Sequence, residues 1–394
     1  MSLRTLPVIF TALLTVVLTM PPGAHAQARP LWGSLEPGDH NVGFLRLWEL
    51  DRTRIWPRSP ALDSLDGSIA RPIRVDVWYP AVCDDGQRMS LGDYVNIDSP
   101  SAAFDDLVFL THRWDEYSYR GLAEDSTSYD RLLSTETTAC FGATAAPGHR
   151  FPVVLYSAGW FNRAPDNTIL AEFLASHGFV VATVPQLNPG LWTFNFRSDA
   201  PSVENQVRDL EVALAALIEE PFVDRRRVAA MGYSTGGDVA LLLQGRNPLV
   251  DAVVGLDASW SLGPGNDVDA SPFFVPAQYR VPILVARRPT EERSEANTVL
   301  DSLAAAPRIV VEVPGSDHGS FSDDPAQRRL LGTDTAEHQD THAAVAQSVL
   351  SFLRATLGEL GSFDGARLSE HYQSRGLLSV FFPGEEVERD ESES

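Results

Sequence analysis

The residues best able to do chemistry sit in one short run. Gly232-Tyr233-Ser234-Thr235-Gly236 reads G-x-S-x-G, and Gly237 follows it. Such a run is common by chance, and its setting gives it weight. An apolar stretch at 228–231 leads in and another at 239–243 leads out, as a strand-to-helix turn requires. A sharp turn of this kind lifts a serine hydroxyl above the sheet, and small flanking residues keep side chains clear of it. The serine also stands at a helix N-terminus, whose dipole favours developing negative charge. The bland alternative is a glycine-rich turn with no chemistry.

A serine nucleophile needs a base. Among nine histidines, His318 is the best placed, in Pro314-Gly315-Ser316-Asp317-His318-Gly319-Ser320-Phe321 after the strand pattern at 309–313. A hydrolase histidine hangs from the loop after the last strand of such a sheet. His177 precedes a strand and lies at its wrong end. His338 and His342 are spaced i, i+4 on the last helix, where Glu337 and Asp340 favour a solvated face over a metal pair.

The base needs an orienting carboxylate held rigidly. Asp257 directly ends the strand pattern at 252–256 and is preferred. The alternative follows the strand at 281–286, where Arg287-Arg288-Pro289 come first and the nearest acids are Glu291 and Glu292. Asp317 adjoins His318 in the chain, which makes it a poor orienter. An oxyanion needs two backbone N–H donors. Thr235, directly after the serine, is one candidate. Trp160 is the other, in Ser157-Ala158-Gly159-Trp160 after the strand at 151–156, where Gly159 permits close approach.

These groups need a sheet to converge. Buried-type runs at 151–156, 179–184, 228–231, 252–256, 281–286 and 309–313 predict strands of a parallel sheet covered on both faces. Helical patterns at 168–176, 203–219, 236–246 and 335–357 fall between or after them. Earlier strands are expected at 41–48 and at 72–79, where Ile73, Val75, Val77 and Tyr79 share one face. The fold class is α/β, a doubly wound, mostly parallel sheet, and the order Ser, Asp, His fits the α/β-hydrolase arrangement. Residues 81–150 are irregular and read as a partly helical insertion over the core. The expected hydrolase domain runs over 27–357, with a C-terminal extension at 358–394 ending in an acidic, disordered tail.

Residues 1–26 read as a secretory signal peptide. Arg4 precedes an apolar run at 8–20, and Ala24-His25-Ala26 is a small-x-small cleavage site. The run is shorter than the ~20 residues of a membrane span. The expected location is therefore secreted or periplasmic. There an even pair of cysteines, Cys83 and Cys140, is expected to form a disulfide. The formal net charge of −22 disfavours binding to nucleic acid. All 31 basic residues are Arg, which excludes a Schiff-base lysine, a Ser-Lys dyad and a P-loop lysine.

The pieces RPIRVDVWYPA, LYSAGW, LASHGFVVATV, MGYSTGG, VVGLDASW and GSDHGSFSD resemble secreted platelet-activating-factor acetylhydrolases and their bacterial dienelactone-hydrolase-like relatives. The resemblance spans residues 71–357, with its most specific points at Asp257 and at the His318, Phe321, Asp323 run. It implies nucleophile Ser234, acid Asp257, base His318, and oxyanion donors Trp160 and Thr235. The chain departs from that pattern at Ala158-Gly159, where the family has His-Gly. It departs again at Pro185-Gln186-Leu187-Asn188, where the family is acidic or His-Arg-Asp. A true dienelactone hydrolase uses a cysteine nucleophile, and Ser234 argues against that activity.

The expected function is thus an exported serine ester hydrolase working through an acyl-enzyme, with no metal or organic cofactor. Its substrate would be a small-molecule or lipid ester. Trp160, Trp192, Phe194, Phe196, Trp260, Phe273 and Phe274 either line an acyl pocket or fill the core. The alternatives are a serine peptidase or amidase, and a non-catalytic binding protein on the same fold.

Overall fold

The sheet begins with β1 (Asn41–Pro57) and β2 (Ser68–Val82), a long antiparallel pair. The computed structural model describes residues 31–57, 68–83, 88–160, 162–187, 199–261, 268–289, 298–333, 336–358 and 363–384. The expected signal peptide, Glu291, Glu292, Trp192, Phe194, Phe196 and the acidic tail lie outside them. The stretch read as an insertion contributes β3 (Arg88–Ser90), α1 (Leu91–Val95), α2 (Asp105–Leu122), α3 (Ser126–Leu133), β4 (Glu136–Phe141) and β5 (Thr144–Ala145). Then strand and helix alternate: β6 (Phe151–Ser157), α4 (Thr168–Ser176), β7 (Val180–Thr183), α5 (Ala200–Leu217), β8 (Val223–Tyr233), α6 (Gly236–Arg246) and β9 (Ala252–Leu256). β10 (Ile283–Arg287), α7 (Thr298–Ser302), β11 (Arg308–Glu312), α8 (Asp324–Leu331), α9 (Ala336–Leu357), α10 (Gly365–Ser374) and β12 (Leu378–Phe382) complete the order.

Along the sheet the strands run β12-β11-β10-β9-β8-β6-β7-β2-β1-β4-β3, with β5 on β2. From β7 to β11 neighbours are parallel. The continuous apolar strands are explained by burial on both faces. In β6, Val153 and Leu155 enter one core while Val154 and Tyr156 enter the other. In β8, Val228 and Ala230 oppose Ala229 and Met231 in the same way. α4 and α9 cover one face, and α5, α6 and α7 cover the other. The chain leaves β6 for β7 on one side and later returns to β8 on the other side. That reversal opens a crevice at the carboxyl ends of β6 and β8, where open α/β sheets place their ligands.

Part of the insertion belongs to the sheet: β4 pairs with β1 and β3 with β4. α2 is fixed over the sheet by buried charge. Asp76 meets Arg74 at 3.0 Å and Arg46 at 3.1 Å, and Arg74 donates to Thr111 at 3.2 Å. Farther along, Arg71 donates to both oxygens of Asp209, at 2.8 and 2.6 Å, and to the Leu187 carbonyl at 3.2 Å. This pair secures the chain just beyond β7.

Cys83 and Cys140 form a disulfide, with Cα atoms 6.4 Å apart and a separation of 57 residues. It ties the end of β2 to β4. Closing such a loop stabilises the fold by about 4 kcal/mol in the chain-entropy model. Cys83→Ser with Cys140→Ser should lower the unfolding free energy in urea by that order. Intact mass after alkylation without reduction should show no added alkyl group; two would overturn the bond.

The sheet also continues past residue 357. β12 pairs antiparallel with β11, and α10 packs Leu368 and Tyr372 into the core. Its alternation is inverted, which hid it: Leu378, Val380 and Phe382 face outward, while Ser379 is buried and bonded to Ser369 at 2.8 Å. Among the described residues no helix is long and apolar enough to cross a membrane.

Candidate active site

Ser234 joins β8 to α6 with φ +55, a left-handed conformation rare for a residue with a Cβ. The turn around it is so tight that its flanks must lack side chains. A Cβ on Gly232 would lie 1.8 Å from the Gly236 carbonyl oxygen, and one on Gly236 would lie 2.1 Å from that of Ser157. Both contacts are with backbone, which cannot give way. The glycines therefore follow from collision, and they hold the serine in strain at the sheet's switch point. The Ser234 N–H donates to the Leu256 carbonyl at 2.9 Å, which ties the elbow to β9.

His318 follows β11, and its loop is folded by Asp317, whose carboxylate accepts from the Ser320 N–H at 2.9 Å and its hydroxyl at 2.8 Å. The Tyr233 hydroxyl donates to the His318 carbonyl at 2.9 Å, and the Tyr233 ring lies 4.9 Å from the imidazole. So the residue before the serine holds the loop that carries the histidine. His318 Nε2 lies 3.1 Å from Ser234 Oγ, and Nδ1 lies 2.6 Å from Asp257 Oδ2. A carboxylate only accepts, so Nδ1 carries the proton and Nε2 is free to take one from the hydroxyl.

Asp257 is fully buried, follows β9 directly and has φ +41. Its N–H donates to the Ala286 carbonyl at 2.7 Å. The structure thus brings Ser234, His318 and Asp257 into one hydrogen-bonded chain. Arg288, just beyond β10, also meets Asp257: its N–H donates to Oδ1 at 3.2 Å and its Nη1 to Oδ2 at 2.8 Å. Sequence reasoning treated Arg288 only as a residue standing where an acid might be.

On the opposite side, the loop after β6 passes close to the serine. A Cβ on Gly159 would lie 3.1 Å from Ser234 Cβ and 2.9 Å from Tyr233 Cδ1. Trp160 follows at 49% exposure, and Thr235 is buried at the start of α6. Gln186 donates its amide to the Ala158 carbonyl, so the departure from the family pattern after β7 contacts this loop. Asn167 donates to the Phe321 carbonyl at 2.9 Å and to the Tyr156 hydroxyl at 3.1 Å. Asp323 accepts from the Ile169 N–H at 3.0 Å, which anchors the histidine loop to α4. Its burial pushes the carboxyl well above the usual range. The links from Asn167 to Phe321 and from Asp323 to Ile169 each span 154 residues, so no local pattern shows which groups they join.

The aromatic candidates separate. Trp260 is fully buried, Phe273 lies under the Arg246 guanidinium at 4.2 Å, and Phe274 packs on Tyr279. Among the described candidates, Trp160 is the one in the loop beside the serine. His177 lies away from the site, with Nε2 3.2 Å from the Glu36 carbonyl.

The expected solvated face at His342 is corrected. The side chain is buried, because its helix turns that residue toward the loop at Ser320 and Ser322. Desolvation pushes it down to about 4, only partly offset by that loop's backbone. A histidine held neutral in the fold costs stability as pH falls from its ordinary value through its lowered one, here by roughly 3 kcal/mol. His342→Leu should remove most of that loss between pH 7 and pH 4 in urea unfolding. An unchanged difference would show that His342 is not held neutral. Among the described residues no group of three or more His, Cys, Asp or Glu side chains could hold a metal.

A serine on a strained strand-to-helix elbow, at the switch point of a mostly parallel sheet, defines an α/β-hydrolase fold. Within it, residues 139–285 match the model of the dienelactone hydrolase family. "Cutinase 2" of Thermobifida cellulosilytica is 29% identical over 145 residues, covering 33% of this chain and 51% of that protein. The chain therefore spans only half the length of that curated relative. The structure of a ferulic acid esterase from Streptomyces cinnamoneus superposes with a TM-score of 0.61 at 21% identity, covering 89% of this chain and 98% of the other. The resemblance to bacterial dienelactone-hydrolase-like proteins holds. These matches do not bear specifically on the platelet-activating-factor acetylhydrolases.

Proposed function

We propose that the protein is an exported carboxylic ester hydrolase working through Ser234, His318 and Asp257. The observation that carries this reading is the continuous chain from Ser234 Oγ to His318 at 3.1 Å and on to Asp257 at 2.6 Å. His318 takes the serine proton as the hydroxyl attacks the ester carbonyl, and Asp257 stabilises the imidazolium that forms. The Thr235 and Trp160 N–H groups receive the oxyanion. His318 then protonates the leaving alcohol. Water, activated by the same histidine, releases the acid from the acyl-enzyme.

A relative named cutinase and a structural neighbour named ferulic acid esterase favour an ester over an amide. The disulfide and the signal-like N-terminus favour an oxidising compartment. Phospholipid and short-chain acyl esters are both within this chemistry. Labelling by a fluorophosphonate probe, lost in Ser234→Ala, tests the nucleophile. A series of p-nitrophenyl esters of rising acyl length, set against the matching anilides, tests the substrate. Labelling with anilide cleavage alone would make the protein an amidase. No labelling would make it a binding protein.

A further inference from the structure

We propose that Arg288 is a positioning residue that acts on the reaction through Asp257. The inference rests on the reading of Ser234, His318 and Asp257 given above. Asp257 is fully buried, and a buried carboxylate needs charged or hydrogen-bonding partners to stay in place. While His318 is neutral, the charged partner at Asp257 is the Arg288 guanidinium, 2.8 Å from Oδ2. The Arg288 N–H holds Oδ1 at 3.2 Å, so one residue grips both oxygens.

The geometry sets the carboxylate's rotation. With Oδ1 held by the backbone after β10, Oδ2 is turned toward His318 Nδ1 at 2.6 Å. The backbone of Asp257 is fixed as well, by its bond to the Ala286 carbonyl and by its left-handed conformation. The carboxylate therefore has few ways to move, and Arg288 restricts the main one left. Pro289 follows Arg288 and restricts its backbone in turn.

Arg288 stands just beyond β10, where the alternative position for the orienting acid begins. Here the acid ends β9, one strand earlier. The two positions are neighbours because β9 and β10 pair in parallel, with Leu256 opposite Ala286. An acid at the end of one strand and an arginine at the end of the next thus form a pair across the register. The Arg288 side chain is 37% exposed, so its removal leaves no large core cavity.

A double-mutant cycle separates this role from a general structural one. The readout is the rate of Ser234 labelling by a fluorophosphonate probe, with kcat and KM for a p-nitrophenyl ester beside it. Arg288→Met should slow labelling about 10- to 100-fold, the scale of a small misplacement in a catalytic constellation. The loss should appear in kcat and leave KM within about two-fold, because no substrate contact is removed. In the Asp257→Asn background the same change should cost less than about two-fold, since the group it acts through is gone. Arg288→Lys, which keeps the charge, should recover most of the rate.

Equal losses in both backgrounds would overturn the proposal, as would an Arg288→Met enzyme as fast as the wild type. Should Arg288→Met fail to fold, Arg288→Gln keeps the polarity without the charge and gives the same readout. A fully active Asp257→Asn, or continued labelling of Ser234→Ala, would instead overturn the site assignment itself. That failure is visible in the single variants before the cycle is closed.

Discussion

Ser234→Ala is expected to lower ester turnover by roughly 10⁶-fold, the scale reached when the serine of such a triad is removed. The fold should be unchanged. Alanine keeps the Cβ that the site accommodates, and the bond from the residue 234 N–H to Leu256 is untouched. Thermal unfolding and circular dichroism should match the wild type, while fluorophosphonate labelling disappears. The contrast with the glycines is informative. Gly232→Ala and Gly236→Ala would force a Cβ into backbone oxygen at 1.8 and 2.1 Å, so their losses would mix misfolding with chemistry. A purified Ser234→Ala protein with a tenth of wild-type activity would show that the nucleophile is elsewhere.

Asp257→Asn is expected to lower kcat by about 10⁴-fold, with Glu291→Gln and Glu292→Gln losing at most a few-fold. The amide can donate to His318 Nδ1, which holds the proton on Nε2 and leaves no base facing Ser234. Asparagine suits the position in every other respect. It has the size of aspartate and tolerates the left-handed backbone at φ +41, so the loss reports chemistry. An active Asp257→Asn beside a dead glutamate variant would move the acid to the segment after β10 and remove the meaning of the Arg288 contact.

Much of the architecture was legible in the chain because its signals are local. A short apolar run lies within each strand from β6 to β11, and burial on both faces leaves those runs no polar side to show. The two helices at 168–176 and 236–246 have the same limits in the sequence and the structure. β12 escaped because three of its four apolar side chains, Leu378, Val380 and Phe382, point outward. His342 was misread because its helical neighbours Glu337 and Asp340 suggested water, whereas a helix shows each residue to a different environment.

The sequence by itself determined the elbow at Ser234, since five residues and their flanking runs contain all that the turn needs. It also made His318 and Asp257 leading candidates, because each ends or follows a strand whose pattern is visible. Only the tertiary structure decided which of these groups meet. Ser234, Asp257, Arg288 and His318 come from the ends of four neighbouring strands, β8 to β11, and their contacts depend on strand order and register. Strand order is set by which apolar faces pack together over the whole sheet, so no local stretch records it. For the same reason Arg288, read in isolation, was a residue where an acid was absent. In the fold it holds the acid that the neighbouring strand supplies.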